Sequence, residues 1–102
     1  MTSEGVQAAV VVAAGDRVDE RAVRSIPEHV AGNPGAIVLD LSEVAFLDSA
    51  GLTILVREHN RCADHGVPFR LVAATTVVRR PIELTGLDRV LEIHPTVESA
   101  TA

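Results

Sequence analysis

Short runs of β-branched and aliphatic residues alternate along the chain with stretches whose apolar residues recur every three or four positions. Glycines and prolines divide one kind of segment from the next. Strands and helices that alternate in this way can bury their apolar faces together only if the helices pack on a mostly parallel sheet. Val6 to Ala14 (VQAAVVVAA) reads as a first strand, ended by Gly15. Asp19 opens a helical pattern with Ala22, Val23, Ile26 and Val30 on one face, and Pro27 within it should kink or split the helix. Gly32-Asn33-Pro34-Gly35 is a breaker, and Ala36 to Leu41 (AIVLDL) after it is the clearest strand in the sequence.

Ser42 to Leu47 reads as a connection. Asp48-Ser49 then precedes an amphipathic helix with Leu52, Leu55, Val56, His59 and Ala63 on its apolar face. Arg57, Glu58, Asn60, Arg61 and Asp64 fall on the wet side. Gly66 stops this helix, and Pro68 follows it. Phe69 to Ala74 is a third strand. Thr75 or Thr76 can cap a helix to about Leu84, closed by Gly86; Val90 to Ile93 is a last strand, and Pro95 starts a final helix. The expectation is a single α/β domain over residues 1–102. Its mostly parallel sheet would have about four to five strands, flanked by about four helices. No internal repeat or linker is visible.

Composition narrows the function. With 102 residues, 47% apolar, the chain can bury one core, and with Phe46 and Phe69 as its only aromatics that core must be aliphatic. The net charge is −5, all nine basic residues are arginine, and no basic stripe is present, so nucleic acid is a poor partner. The missing lysine reads as codon bias of a GC-rich genome. Cys62 stands alone, so no internal disulfide can form, which suits a reducing cytoplasm. Met1 to Gly5 does not have the pattern of a signal peptide, and the longest apolar run, Ala8 to Ala14, is too short for a membrane span. A soluble cytoplasmic protein is expected.

Asp48-Ser49-Ala50-Gly51-Leu52 is the segment that could carry chemistry. An Asp-Ser pair ahead of a helix is ordinary capping, and capping alone accounts for most such serines. A regulatory serine needs more: an exposed hydroxyl at a loop tip, small neighbours that let another protein approach, and a local field that tolerates an anion. Ala50 and Gly51 are small, and the helix N-terminus supplies the field.

The stretch IVLDLSEVAFLDSAGLTILV, Ile37 to Val56, resembles the core of the STAS family, named for sulfate transporters and anti-sigma factor antagonists. LTGLDRVLEIHPTVESA, Leu84 to Ala100, resembles that family's closing segment. The resemblance covers about residues 15–100 and is fairly specific because both motifs occur in order and at the right separation. It implies a STAS-like fold and, in the antagonist branch, a serine phosphorylated by the anti-sigma factor. That partner is a protein kinase with the histidine-kinase-like ATPase fold, and a serine phosphatase would reverse its action. Carried over by position, Ser49 is the phosphoacceptor, and Asp48, Ala50, Gly51 and Leu52 belong to the partner-binding surface. The family's Gly-acid-aliphatic-Asp turn is matched by Gly15-Asp16-Arg17-Val18-Asp19 with one extra residue, which makes Asp19 the further partner-binding acid. The family's N-terminal hairpin strand has little room before Val6, and Pro27 is unusual. The same resemblance admits two other roles: a stressosome scaffold or accessory subunit of a lipid transport complex, and a free-standing nucleotide-binding domain.

Other features have plainer readings. His59, Cys62 and His65 spell H-x-x-C-x-x-H, but on a helix the two histidines are separated by a rise of about 9 Å, too far for one zinc ion. They read as residues edging the core and the helix end, and no metal or cofactor is expected. Arg79-Arg80 reads as a solvated helix face. Neither a P-loop pattern nor a Gly-x-Ser-x-Gly elbow is present, so the chain is not expected to be an enzyme.

Overall fold

The computed structural model describes residues 7–102. In chain order the elements are strand β1 (Ala8–Val12), helix α1 (Ile26–Ala31), β2 (Ala36–Asp40), α2 (Ser49–Asp64), β3 (Phe69–Val72), α3 (Thr76–Leu84), a 3-10 turn (Leu87–Arg89), β4 (Glu92–His94) and α4 (Val97–Thr101). The four strands form one sheet in the order β1-β2-β3-β4, every pair parallel. The expected α/β architecture is therefore present. Val6, the expected start of the first strand, lies outside the described residues.

Side-chain alternation along the strands sorts the molecule into layers. Ile37 and Leu39 of β2 and Phe69 and Leu71 of β3 face a core filled by Ile26 and Val30 of α1, Leu55 of α2, and Val78 and Ile82 of α3. Val38 and Val72 face the other way, onto Ala100 of α4. Helices α1 to α3 thus share one face of the sheet, and the short α4 covers the middle of the other. Arg70 Nη1 donates to the Ala100 carbonyl at 2.9 Å and helps to hold α4 there.

The first helix differs from expectation. It begins at Ile26 instead of Asp19, and Pro27 lies in its first turn instead of its interior. Proline has no amide hydrogen, and its ring would collide with the carbonyl four residues earlier, so the helix cannot extend upstream. Residues 19–25 form turns, with Ala22 N donating to the Asp19 carbonyl and Ile26 N to that of Val23. The expected face is nevertheless buried, because Ala22, Val23, Ile26 and Val30 all enter the core.

Two further boundaries move. Val90 and Leu91 both donate to the Leu87 carbonyl, which holds them in the 3-10 turn and delays β4 to Glu92. The final helix is capped by Thr96, whose hydroxyl accepts from Ser99 N at 3.0 Å, so Pro95 stands just outside it.

Helix α2 is rotated relative to its expected face. It buries Gly51, Leu52, Ile54, Leu55, Glu58 and Cys62, while Ala63 is exposed and Val56 and His59 are half-buried. Glu58, expected in water, retains 1% of its surface. Ile54, Glu58 and Cys62 follow one another at intervals of four, so a helix that packs Ile54 and Cys62 must carry Glu58 inward too. Its charge is met on both sides. Arg57 Nε donates to Oε2 and Arg61 Nε to Oε1, each at 2.9 Å. Arg57 also forks onto Glu20, with two bonds of 2.8 Å, and so ties the 19–25 turns to α2. These bonds hold the Glu20 carboxyl below its ordinary pKa and the Arg57 guanidinium above its own.

Breaking this cluster should cost more than an exposed ion pair. Glu58→Ala is expected to destabilise the fold by about 2–3 kcal/mol, below the usual figure for a fully buried pair because both guanidiniums can turn to solvent. Denaturant unfolding measures this, and a loss within error of zero would contradict the arrangement.

Cys62 gives a second test. It is fully buried, not at the rim of the core, and burial, with a smaller contribution from the Glu58 charge, pushes its thiol from 9.0 up to about 11. The folded chain therefore keeps this proton to higher pH than the unfolded chain. The resulting stability is complete below pH 9.0 and is lost as pH rises through about 11. The sequence has neither lysine nor tyrosine, so no other side chain titrates in that window. Unfolding free energy should fall between those limits in the native chain and stay level in Cys62→Ala; parallel profiles would exclude a desolvated thiol.

Candidate functional site

Because β1 and β2 are neighbours and parallel, the loops that leave their C-terminal ends lie side by side. The Asp16 carbonyl joins them, accepting from Ala45 N at 2.8 Å and from Phe46 N at 3.2 Å. The second loop is held at both ends. Ser42 donates its amide (2.9 Å) and its hydroxyl to Asp40 Oδ1, and Val44 and Leu47 are buried. Between those anchors Ala45 and Phe46 are exposed.

Asp48 then starts α2. Its backbone is extended (φ −97°, ψ 179°), and its Oδ1 accepts from Gly51 N at 2.8 Å. Its carbonyl accepts from Leu52 N at 3.0 Å. Asp48 is therefore the N-cap, and Ser49 is the first residue of the helix. The Ser49 hydroxyl is exposed, and among the described residues it has no hydrogen-bond partner. The backbone carbonyl of Ser49 accepts from Thr53 Oγ1 at 3.0 Å, an interaction that leaves the Ser49 side chain free.

The other expected site residues divide by accessibility. Ala50 is exposed beside Ser49, and Asp48 is half-buried. Gly51 and Leu52 are buried, so in this structure they support the surface from beneath and do not form it. A Cβ on Gly51 would lie 2.9 Å from Leu47 Cδ1 and 3.3 Å from both Asp48 Oδ1 and Val18 Cβ. Glycine here allows the β1 loop and the start of α2 to touch. Asp19 is half-buried, and its Oδ1 accepts from Ala22 N at 3.1 Å, which directs it to the 19–25 turns.

Two residues at this tip escaped the sequence reading. The Arg17 guanidinium lies 5.9 Å from the centre of the Phe46 ring, and its Nη1 is 3.8 Å from Asp48 Oδ2. Arg17 stands in the extra position of the Gly15–Asp19 turn, which was the available signal. Arg17, Arg21 and Arg24 also line an open groove beside β1, together with Asp16 and Asp19. The H-x-x-C-x-x-H residues point to separate partners: His65 Nδ1 lies 2.9 Å from the Arg61 carbonyl, His59 Nδ1 is 3.4 Å from Asn60 Oδ1, and Cys62 is in the core.

A sequence model of the STAS domain family matches residues 6–100. The chain belongs to the STAS domain family. This STAS domain is 45% identical over 76 residues to the anti-sigma-F factor antagonist RsfB of Mycobacterium tuberculosis, an alignment covering 74% of the chain and 62% of RsfB. It is 37% identical over 67 residues to RsfA, also named an anti-sigma-F factor antagonist, of the same organism, covering 66% of the chain and 52% of RsfA. The chain thus spans about three-fifths of RsfB and half of RsfA. Among solved structures, an anti-sigma factor antagonist from Mycobacterium paratuberculosis superposes with a TM-score of 0.79 at 37% identity, over 92% of this chain and 82% of the other. Among the described residues of the STAS domain, no helix is long and apolar enough to cross a membrane.

The contact at Gly51 can be tested directly. Gly51→Ala should destabilise the domain by about 1–3 kcal/mol through overpacking against Leu47 and Val18, whereas Ala50→Ser, on the exposed side, should be neutral within about 0.5 kcal/mol. Thermal or denaturant unfolding of the two variants decides it; equal stabilities would mean that the two loops are not in contact.

Proposed function

We propose that this STAS domain is an anti-sigma factor antagonist acting in the cytoplasm, a binding protein with no catalytic step of its own. In its unmodified form it binds an anti-sigma factor of the histidine-kinase-like ATPase fold and thereby frees a sigma factor for transcription. Phosphorylation of Ser49 by that partner ends the complex, and a serine phosphatase restores it. The observation that carries this reading is the division of labour at the start of α2. Asp48 does the capping, so Ser49 stands exposed and, among the described residues, its hydroxyl has no hydrogen-bond partner. The names of RsfB, RsfA and the Mycobacterium paratuberculosis protein support the same reading.

In the modification, Ser49 Oγ attacks the γ-phosphorus of ATP. The bond from that phosphorus to the bridging oxygen of ADP breaks, and the hydroxyl proton passes to a base of the kinase. The products are phosphoserine and ADP. The new group brings about −1.5 to −2 charges to a tip that already holds Asp48. The helix N-terminus tolerates an anion, so the fold persists. An acidic or apolar partner surface does not tolerate it, because like charges repel and the dianion resists desolvation.

The test uses the purified chain and its cognate anti-sigma factor. Label from ATP should pass to the native chain and not to Ser49→Ala. Ser49→Asp should bind the anti-sigma factor at least about ten-fold more weakly, equivalent to about 1.4 kcal/mol. Label transfer to Ser49→Ala, or undiminished binding by Ser49→Asp, would overturn the proposal.

A further inference from the structure

We infer that Arg17 is the counter-ion of the phosphorylated state: once Ser49 carries a phosphate, the Arg17 guanidinium leaves Asp48 and pairs with the phosphate oxygens. The inference rests on Ser49 as the acceptor and names the side chain that pairs with the phosphate there.

Four observations lead to it. First, Arg17 is weakly held as it stands. Its contact with Asp48 is 3.8 Å long, and the two side chains retain 58% and 38% of their surface, so water competes for both. Second, the carboxylate it approaches is shared: Asp48 Oδ1 accepts the Gly51 amide, and only Oδ2 faces Arg17. Third, the base of Arg17 is fixed while its end is free. The neighbouring Asp16 carbonyl is bonded to Ala45 and Phe46 N, two to three residues before the Asp48-Ser49 pair, and the guanidinium rests over the Phe46 ring. The side chain is thus kept near the acceptor loop. Fourth, the arginines of α2 itself are committed: Arg57 and Arg61 both hold Glu58.

The exchange is chemically favourable. A carboxylate at 3.8 Å offers one charge and no hydrogen bond. A phosphate offers nearly two charges and three acceptor oxygens, and a guanidinium can grip two of those with parallel N–H bonds. The acids nearby, Asp16, Asp48 and Asp19, raise the need for a local cation once the dianion arrives. The consequence for partner binding is twofold. A kinase-facing surface that meets Arg17 and a neutral serine before modification meets a closed arginine-phosphate pair afterwards, so both a cation and a hydroxyl leave the encounter.

The experiment uses the full chain with phosphoserine installed at position 49 during translation, so that no kinase is required. The phosphorus resonance is followed from pH 4 to 8. A phosphoserine dianion forms with a pKa near 6. A paired guanidinium lowers that value, so Arg17→Ala should raise it by about half a unit or more. Arg17→Lys should fall between native and alanine, and Arg24→Ala, from the same groove, should leave it unchanged. The Arg17 Nε–H resonance should also move when Ser49 is phosphorylated. Identical titrations of the native and Arg17→Ala chains would overturn the inference, as would an Arg24→Ala shift equal to that of Arg17→Ala. Because the phosphate is installed without the kinase, either result stands apart from the label-transfer test: a flat titration removes Arg17 and leaves Ser49 as acceptor, whereas failed transfer removes the acceptor reading whatever the titration gives.

Discussion

The bond from the Gly51 amide to the Asp48 carboxylate determines where α2 begins, and the properties of the tip follow from that register. With Asp48 as the cap, Ser49 is the first helical residue and is exposed. Were Ser49 the cap, its oxygen would be turned back onto a backbone N–H and withdrawn from any enzyme. The same register carries Gly51 to the place where the β1 loop passes within contact distance, and it turns Leu52 into the core. An exposed serine on a rigid pedestal is therefore the product of one carboxylate and two apolar contacts.

The pedestal has a second support further along the helix. Glu58 would be a costly resident of the core without Arg57 and Arg61, and the geometry leaves neither oxygen unpaired. Arg57 extends the cluster to Glu20, which belongs to the turns that replace the first part of α1. Those turns have few hydrogen bonds of their own, because Pro27 forbids a helix there. A buried charge thus anchors an irregular segment that backbone bonding alone would leave loose, and that segment continues from the loop that carries Arg17 and Val18.

Much of this was legible in the sequence, and the failures have physical causes. The aliphatic runs marked the strands, most clearly β2, because a parallel strand buried on both faces admits little else; β4, Glu92–His94, is no aliphatic run, and its bounds shifted. The core residues of the 19–30 segment were legible even though its helix was not: burial follows the apolar spacing, whereas helicity also needs an amide that Pro27 lacks. Glu58 departs from its expected place in water because its spacing from Ile54 and Cys62 carries it inward whatever its charge. Ser49 was legible as a candidate, but its freedom from capping was not. Asp and Ser cap equally well, and only backbone angles and a distance reveal which of them does so. Arg17 and Phe46 meet through a pairing of loops from different strands, which no local pattern announces.

How firmly the tip is held bears on what a phosphate there can do. The start of α2 is fixed by the Asp48 cap, by Leu47 and Val18 against Gly51, and by the Asp16 carbonyl on the adjoining loop. Contrast α3, whose Thr75 makes no side-chain cap bond and whose interior contains Pro81. A helix of that second kind could fray in response to a new charge. Helix α2 has little freedom to do so, and a dianion at its first residue agrees with the direction of its dipole. A modification at Ser49 must then act through the field and the hydrogen-bonding groups it presents outward. The part of the tip best able to respond is a long, exposed side chain on the neighbouring loop, held at its base and weakly engaged at its end. In a domain built this way, a changed affinity does not need a rearranged backbone.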